Sequence, residues 1–325
     1  MIVPRYWSEA KTRKIVNGRQ FTIKRFGWSD ISEQDAKVHA ESRLAEAVST
    51  LEKEGDVRRI DHKLTYNGAE GIPIREEVVA QHQDVVISRN GYGALCLNTP
   101  DVLFADIDFM DEASLRSGVI TFVLLASVVA ILAWVYQSSL LFLLGMGGVV
   151  IFSSTLANLT RRFVLKRKGG IEAITLERIR AVASAHPDLN IRVYRTPLGY
   201  RILLMNDTYA PASDLALNLL QRFDSDPVYV RMCRNQQCFR ARVSPKPWRI
   251  GVARLTPRPG VWPIRAELMG ERKKWIDAYA RAAEHYASCH YVCQLGSSKV
   301  HEKPEFVRKL HDDLCKATRS ELQIA

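Results

Sequence analysis

Between Ser117 and Thr160 the chain carries no Asp, Glu, Lys, Arg or His and is dominated by Leu, Val, Ile, Phe and Ala. Two apolar runs, Val119 to Tyr136 and Leu140 to Leu159, flank a short polar break at Gln137-Ser138-Ser139. A bilayer core takes roughly 20 apolar residues per helical pass. The pattern therefore predicts a transmembrane helical hairpin over about 119–136 and 140–159. A buried hairpin in a soluble core is the competing reading, although paired uncharged helices of this length are rare outside membranes.

On either side the pattern shortens. A strand is predicted over Gln20 to Arg25, then a polar, amphipathic helix from the cap Ser32, with Asp35 three residues on, to Gly55. Alternating segments at Glu77 to Ala80, Val85 to Ser88 and Ala94 to Asn98, with a turn at Asn90-Gly91, predict a small antiparallel sheet. The apolar strand Val102 to Phe109 leads into the hairpin. After it come a helix over Ile174 to Ala185, strands over Ile191 to Tyr194 and Tyr200 to Met205 joined by Thr196-Pro197-Leu198-Gly199, a helix from Ser213 to Phe223, and a strand around Cys238 to Val243. Two final helices are predicted over Lys274 to Leu295 and Pro304 to Thr318.

From Val102 onward this order is strand, helix, strand, strand, helix, strand. It predicts an α+β chain with a ferredoxin-like (βαββαβ) core and the hairpin inserted after the first core strand. The expected parts are an N-terminal α+β piece over 1–115, the hairpin over 116–162, and a C-terminal piece over 163–325 that completes the core.

Charge adds orientation. Arg161, Arg162, Lys166, Arg167 and Lys168 crowd the exit of the second run, Arg116 precedes the first, and the turn between them is uncharged. The positive-inside rule then predicts a multi-pass protein with both termini cytoplasmic. Trp134 and Tyr136 suit the interfacial belt near the turn. The N-terminus has scattered charges and no apolar core of a secretory signal. Of the formal +11, five positive charges belong to the cluster after the hairpin, so the surplus available to a polyanion is modest.

The strongest candidate chemistry is Ala105-Asp106-Ile107-Asp108. Carboxylates two apart on a strand share a face, and such a pair suits Mg²⁺ or Mn²⁺ bridging a substrate phosphate. Asp111 and Glu112 are placed to assist, and Asp224 or Asp226 is the candidate third acid. Asp106 and Asp108 are thus expected as metal ligands and catalytic residues, with Asp226 as a further ligand. Arg195, Arg201, Arg240, Arg242 and Lys246 form a basic set for holding a nucleotide or other phosphorylated ligand, and Trp248 offers a stacking face. A solvated strand face is the bland reading of the same groups. Nucleic acid remains among the ligands this set would take.

Six cysteines lie in segments assigned to the reducing cytoplasm, so disulfides are not expected. Cys233, Cys238, Cys289, Cys293, His285 and His290 lack the usual zinc-knuckle spacing. His285, Cys289 and Cys293 instead read as a buried face of the predicted Lys274 to Leu295 helix, and zinc is not expected. His311-Asp312-Asp313 reads as a surface cluster. No Walker loop, GxGxxG turn, HExxH or GxSxG is present.

The apolar strand ending in Asp-x-Asp resembles the catalytic strand of the archaeo-eukaryotic primase and primase-polymerase superfamily. That resemblance implies a palm-like core and metal-dependent nucleotidyl transfer. In the segment RVYRTPLGYRILL, however, Tyr200 and Arg201 stand where that superfamily carries a histidine. The succession LNTPDVLFADIDF, apolar hairpin, RVYRTPLGYRILL, CFRARVSPKPWRIG and PRPGVWP resembles a family of uncharacterised bacterial inner-membrane proteins over nearly the whole chain, which implies that location and supplies no mechanism. Two functions follow as expectations. One is a divalent-metal site at Asp106 and Asp108 acting on a phosphorylated substrate. The other is a non-catalytic, membrane-tethered module whose sheet and basic strand bind a protein partner or lipid headgroups.

Overall fold

The computed structural model describes residues 3–61, 72–109, 115–258 and 262–325, which leaves Asp111 and Glu112 outside the described residues. The fold is α+β, and the chain divides into two compact units: Met1–Ile107 with His186–Ala325, and Asp108–Ala185 between them in the sequence.

The larger unit opens with an antiparallel hairpin, β1 (Tyr6–Val16) and β2 (Arg19–Ser29). Its two-residue turn, Asn17-Gly18, has positive φ at both positions, 50° and 72°, which is what the twist of a tight hairpin demands. Helix α1 (Glu33–Glu54) packs across it: Phe21 and Ile23 of β2 meet Ala47 and Leu51 of α1, with Leu44 and Val48 alongside. Ser32 caps α1 by accepting from Asp35 N, and Gly55 closes it in the left-handed region, as the sequence predicts.

The smaller unit contains α2 (Leu115–Val135), α3 (Ser139–Arg167) and α4 (Gly170–Ala185). Gln137, with φ of 49°, turns the chain, and Ser138 Oγ accepts from Leu141 N to cap α3. Helix α3 does not stop where the apolar run ends. Its 29 residues include Arg161, Arg162, Lys166 and Arg167 at the C-terminal end, and at about 1.5 Å per residue it is longer than the roughly 30 Å of a hydrocarbon core.

Among the described residues, the larger unit has two four-stranded sheets. One has the order β3 (Glu77–His82), β4 (Val85–Arg89), β5 (Leu95–Thr99), β9 (Phe239–Arg242), antiparallel throughout. The other has the order β11 (His290–Gly296), β7 (Asn190–Thr196), β8 (Gly199–Leu204), β6 (Phe104–Asp108). Helices α5 (Asp214–Arg222), α6 (Pro227–Gln236), α7 (Met269–Ala283) and α8 (Glu302–Cys315) complete the unit, together with a short parallel pair, β10 (Tyr286–Ala287) and β12 (Gln323–Ile324).

The ferredoxin-like order expects β9 beside β6, whereas β9 pairs with β5 in the other sheet. The reason is local. The free edge of β6 is covered by the connection into α6: Asp226 N donates to Asp106 O at 2.9 Å, Ser225 Oγ binds both the N–H and the carbonyl of Asp106, and Tyr229 Oη donates to Phe104 O at 2.9 Å. A satisfied edge has no place for another strand.

A second difference is larger in consequence. The helix predicted over Lys274 to Leu295 ends at Ala283, after which the chain becomes β10 and then edge strand β11. Cys289 therefore lies in a strand-to-strand link and not on a helix face shared with His285 and Cys293.

Candidate functional site

Phe104, Asp106 and Asp108 alternate onto one face of β6, and their surroundings change along it. Phe104 is buried with its ring 5.3 Å from that of His311, Asp106 is half-buried, and Asp108 is exposed at the strand end. Asp106 Oδ1 accepts an ion pair from Arg201 Nε at 3.5 Å. Arg201, on β8, is itself buried and donates from Nη1 to Arg242 O at 2.8 Å. Its Nη1 also stands 3.5 Å from His311 Nε2.

His311 is the centre of a polar group that α8 presses against this sheet face. Cys315 Sγ lies 3.5 Å and Cys289 Sγ 4.0 Å from His311 Nε2, while His311 Nδ1 faces Asp312 Oδ1 at 3.2 Å. His311 and Cys315 are one helical turn apart, so they share a face. Cys289 is brought to them by main-chain bonds: Ser288 N donates to Cys315 O at 2.9 Å and Tyr291 N to Ala317 O at 2.8 Å. Asp312 is held in turn by Arg192 and Arg308, at 2.9 and 3.0 Å to Oδ2. Tyr194 packs edge-on against the imidazole, ring centres 4.6 Å apart. Cys289, His311 and Cys315 are all inaccessible to solvent.

The electrostatics follow from this burial. Burial alone raises a thiol, and it does so at Cys315, which the neighbouring Cys289 thiolate pushes higher still. Burial acts the same way on Cys289, but the hydrogen bond from Cys315, the charge and hydrogen bond of His311, and the charge of Arg201 outweigh it and hold this thiol well below its usual range. At His311 burial favours the neutral ring, and the Cys289 charge with the bond to Asp312 reverses the balance and raises it. Asp312 is lowered despite its burial, by hydrogen bonds from His311 and Tyr194. These influences draw Cys289 toward the thiolate and His311 toward its charged form, with Asp312 orienting the ring. Among the described residues Cys289, His311 and Cys315 form a group with the donors for a metal ion, all three atoms lying within 4.8 Å of one another.

The predicted residues do not gather in one place. Asp106, Arg201 and the carbonyl of Arg242 converge. Asp226 reaches Asp106 through its main chain, while its carboxylate caps α6 by accepting from Val228 N and Tyr229 N at 3.0 and 3.3 Å. Arg240 is buried and forked onto Glu76, its Nη2 2.8 and 2.7 Å from the two carboxylate oxygens, with Nη1 on Asn98. Arg195 reaches back to Gly199 O in its own turn, and Lys246 sits 5.7 Å from the centre of the Trp248 ring. The reading of His311-Asp312-Asp313 as a surface cluster is corrected for its first two members, which are buried; Asp313 alone faces water. The His311-x3-Cys315 spacing on a predicted helix was a legible signal for a shared face. Nothing local pointed to Cys289 as its partner.

Comparison with protein-family models, with curated proteins and with solved structures gives no match.

Proposed function

We propose that the chain is a membrane-anchored protein in which α2 and α3 span the bilayer and the larger unit acts as a tethered, non-catalytic binding module. The carrying observation is the exposure of the two apolar helices. Only 6% and 17% of the residues in their most apolar windows are buried, and Leu124, Val128, Ile131, Leu143, Ile151 and Phe152 stand more than half exposed. A soluble core helix hides such residues; lipid is the solvent in which this surface is stable. The basic end of α3 favours a cytoplasmic larger unit, and the family resemblance favours the inner membrane of a bacterium. The β6-β8-β7 order supports a ferredoxin-derived core with its fourth position taken over and the hairpin inserted after β6. In membrane fractionation the protein should remain in the pellet through alkaline carbonate washing and leave it only with detergent. Release by carbonate would overturn the anchor.

The alternative, metal-dependent phosphoryl transfer at Asp106 and Asp108, needs carboxylates free to bind Mg²⁺ or Mn²⁺. Asp106 is already paired with Arg201, Asp226 is engaged as a helix cap, and Arg201 and Arg240 are buried rather than open to a substrate. These commitments support the non-catalytic reading. Calorimetric titration of the solubilised protein with Mn²⁺ and a nucleotide, beside an Asp106→Asn, Asp108→Asn double variant, separates the two. The tethered module predicts no difference between them, and binding lost in the variant would restore the enzyme.

A further inference from the structure

From the geometry around His311 we propose that Cys289, His311 and Cys315 hold a zinc ion that locks α8 to the β10–β11 link. This proposal stands independently of the functional reading above.

Three observations carry it. The first is spacing. With Zn–S near 2.3 Å and Zn–N near 2.0 Å in a tetrahedron, the sulfur-to-nitrogen edge is about 3.6 Å; the two edges here are 3.5 Å at Cys315 and 4.0 Å at Cys289. The second is the orientation of the imidazole. Zinc-bound histidines generally give their other N–H to a carboxylate or carbonyl, which fixes the tautomer and aims the free nitrogen at the metal. His311 Nδ1 has Asp312 in this role, Asp312 is itself held by Arg192 and Arg308, and Nε2 lies 3.5 and 4.0 Å from the two sulfurs. The third is that main-chain bonds impose the convergence. Ser288 N to Cys315 O and Tyr291 N to Ala317 O tie the Cys289 segment to the end of α8 on both sides of the thiol.

Charge and softness agree. Two thiolates neutralise Zn²⁺; of the cations that the sheet brings to the site, Arg192 is balanced by Asp312, and Arg201, whose Nη1 stands 3.5 Å from His311 Nε2, is balanced by Asp106 and keeps its bond to Arg242 O. A two-sulfur, one-imidazole donor set selects a soft or borderline ion over Mg²⁺ or Mn²⁺. The protein supplies three donors, and water supplies the fourth in zinc sites of that kind. Cys289 comes from the β10–β11 link and His311 and Cys315 from α8, so one ion bound by all three joins the two segments.

The test uses the full chain in detergent, purified from zinc-supplemented cells under reducing conditions. Elemental analysis should find about one zinc per chain, and X-ray absorption of the wild type should find sulfur near 2.3 Å with nitrogen near 2.0 Å. Removing the ion from the wild type with a strong chelator should raise the alkylation rates of Cys289 and Cys315 and leave those of Cys233 and Cys238 unchanged. Cys289→Ser and Cys315→Ser should lose the zinc, Asp312→Asn should weaken it about 10–100-fold, and Cys233→Ser should keep it. The wild-type readouts stand even where a ligand variant fails to fold. Absence of zinc from the wild type, a shell of oxygen and nitrogen alone, zinc retained by the Cys289→Ser, Cys315→Ser double variant, or a Cys289–Cys315 disulfide in its place would each overturn the proposal.

Discussion

Helices α3 and α8 invert the usual relation between chemistry and exposure in opposite ways. Helix α3 turns Leu, Val, Ile and Phe outward along most of its length and shows charge only at its last turns. Helix α8 buries His311, Asp312 and Cys315 and leaves Lys309 and Asp313 outside. Neither arrangement is stable without a partner of matching kind. Apolar surface needs a low-dielectric solvent, and buried charge needs counter-charges and hydrogen bonds at fixed places. The first need is met by any bilayer and is insensitive to which apolar residue stands where. The second is met only by particular atoms: those of Arg308 one turn back on α8, and those of Arg192, Tyr194 and Cys289 from segments far away in the sequence.

That contrast can be broken most sharply at Asp312. Replacing it with Ala leaves the imidazole, Arg192 and Arg308 without their common acceptor, and loss of one partner from a buried ionic group costs about 3–5 kcal/mol. Urea unfolding of the larger unit, followed by the fluorescence of its tryptophans, should register that loss. Asp313→Ala, one residue on but exposed, should stay within about 0.5 kcal/mol of wild type. Equal losses in the two variants would mean that the buried network contributes nothing particular.

The corresponding change in the hairpin is Val128→Arg, at a residue more than half exposed in the middle of α2. A central arginine raises the free energy of insertion by about 3 kcal/mol, and a glycosylation-mapping assay of insertion should show the fraction spanning the membrane fall accordingly. Val128→Leu should insert like wild type. If arginine were tolerated, the exposed apolar surface would not face lipid.

Within the hairpin, packing is specific at Gly145. A β-carbon there would lie 2.6 Å from Val129 Cγ1, so the two helices approach through the missing side chain. Gly145→Leu should cost about 1–3 kcal/mol by overpacking, seen as lower resistance to denaturing detergent. Gly147→Leu, where a β-carbon meets nothing within 4 Å, serves as the control.

The smallest expected effect lies on the outer side of α8. Glu305 is held below the usual carboxylate range, chiefly by its hydrogen bonds from Arg308. Its folded-state value is thus depressed, so its contribution is present at neutral pH and disappears as the pH falls through that depressed value. Because the pair is partly solvated, the amount is about 0.3–0.5 kcal/mol. The difference in stability between wild type and Glu305→Gln should be measurable at pH 7 and vanish in acid; a difference unchanged down to the lowest pH would assign the effect to something other than this ionisation.

These cases also mark how far the sequence reaches. The hairpin, α1 with its Ser32 and Gly55 caps, strands β3 to β8, and α5 are all legible, because each rests on local rules: hydrophobic period, capping residues and turn chemistry acting within a few positions. The β1–β2 hairpin carried a signal of the same kind in Asn17-Gly18, and Pro227 preceded by a capping Asp226 marked the start of α6. The segment after Ala283 offered no such guidance. An alternation of small and half-polar residues over Tyr286 to Gly296 fits a helix face as readily as an edge strand, and pairing with β7 selected the strand.

Two membrane-length apolar helices beside an α+β body follow from residue order alone, since composition and period settle both without reference to distant residues. That β9 pairs with β5 and not with β6 depends on the packed fold, in which the turn into α6 satisfies the edge of β6. The packed fold alone paired Asp106 with Arg201 and brought Cys289 to His311 and Cys315. Side-chain partners separated by 20 to 100 positions are set by which strand edges and helix faces remain unsatisfied once the local elements have formed, and no spacing in the sequence records that.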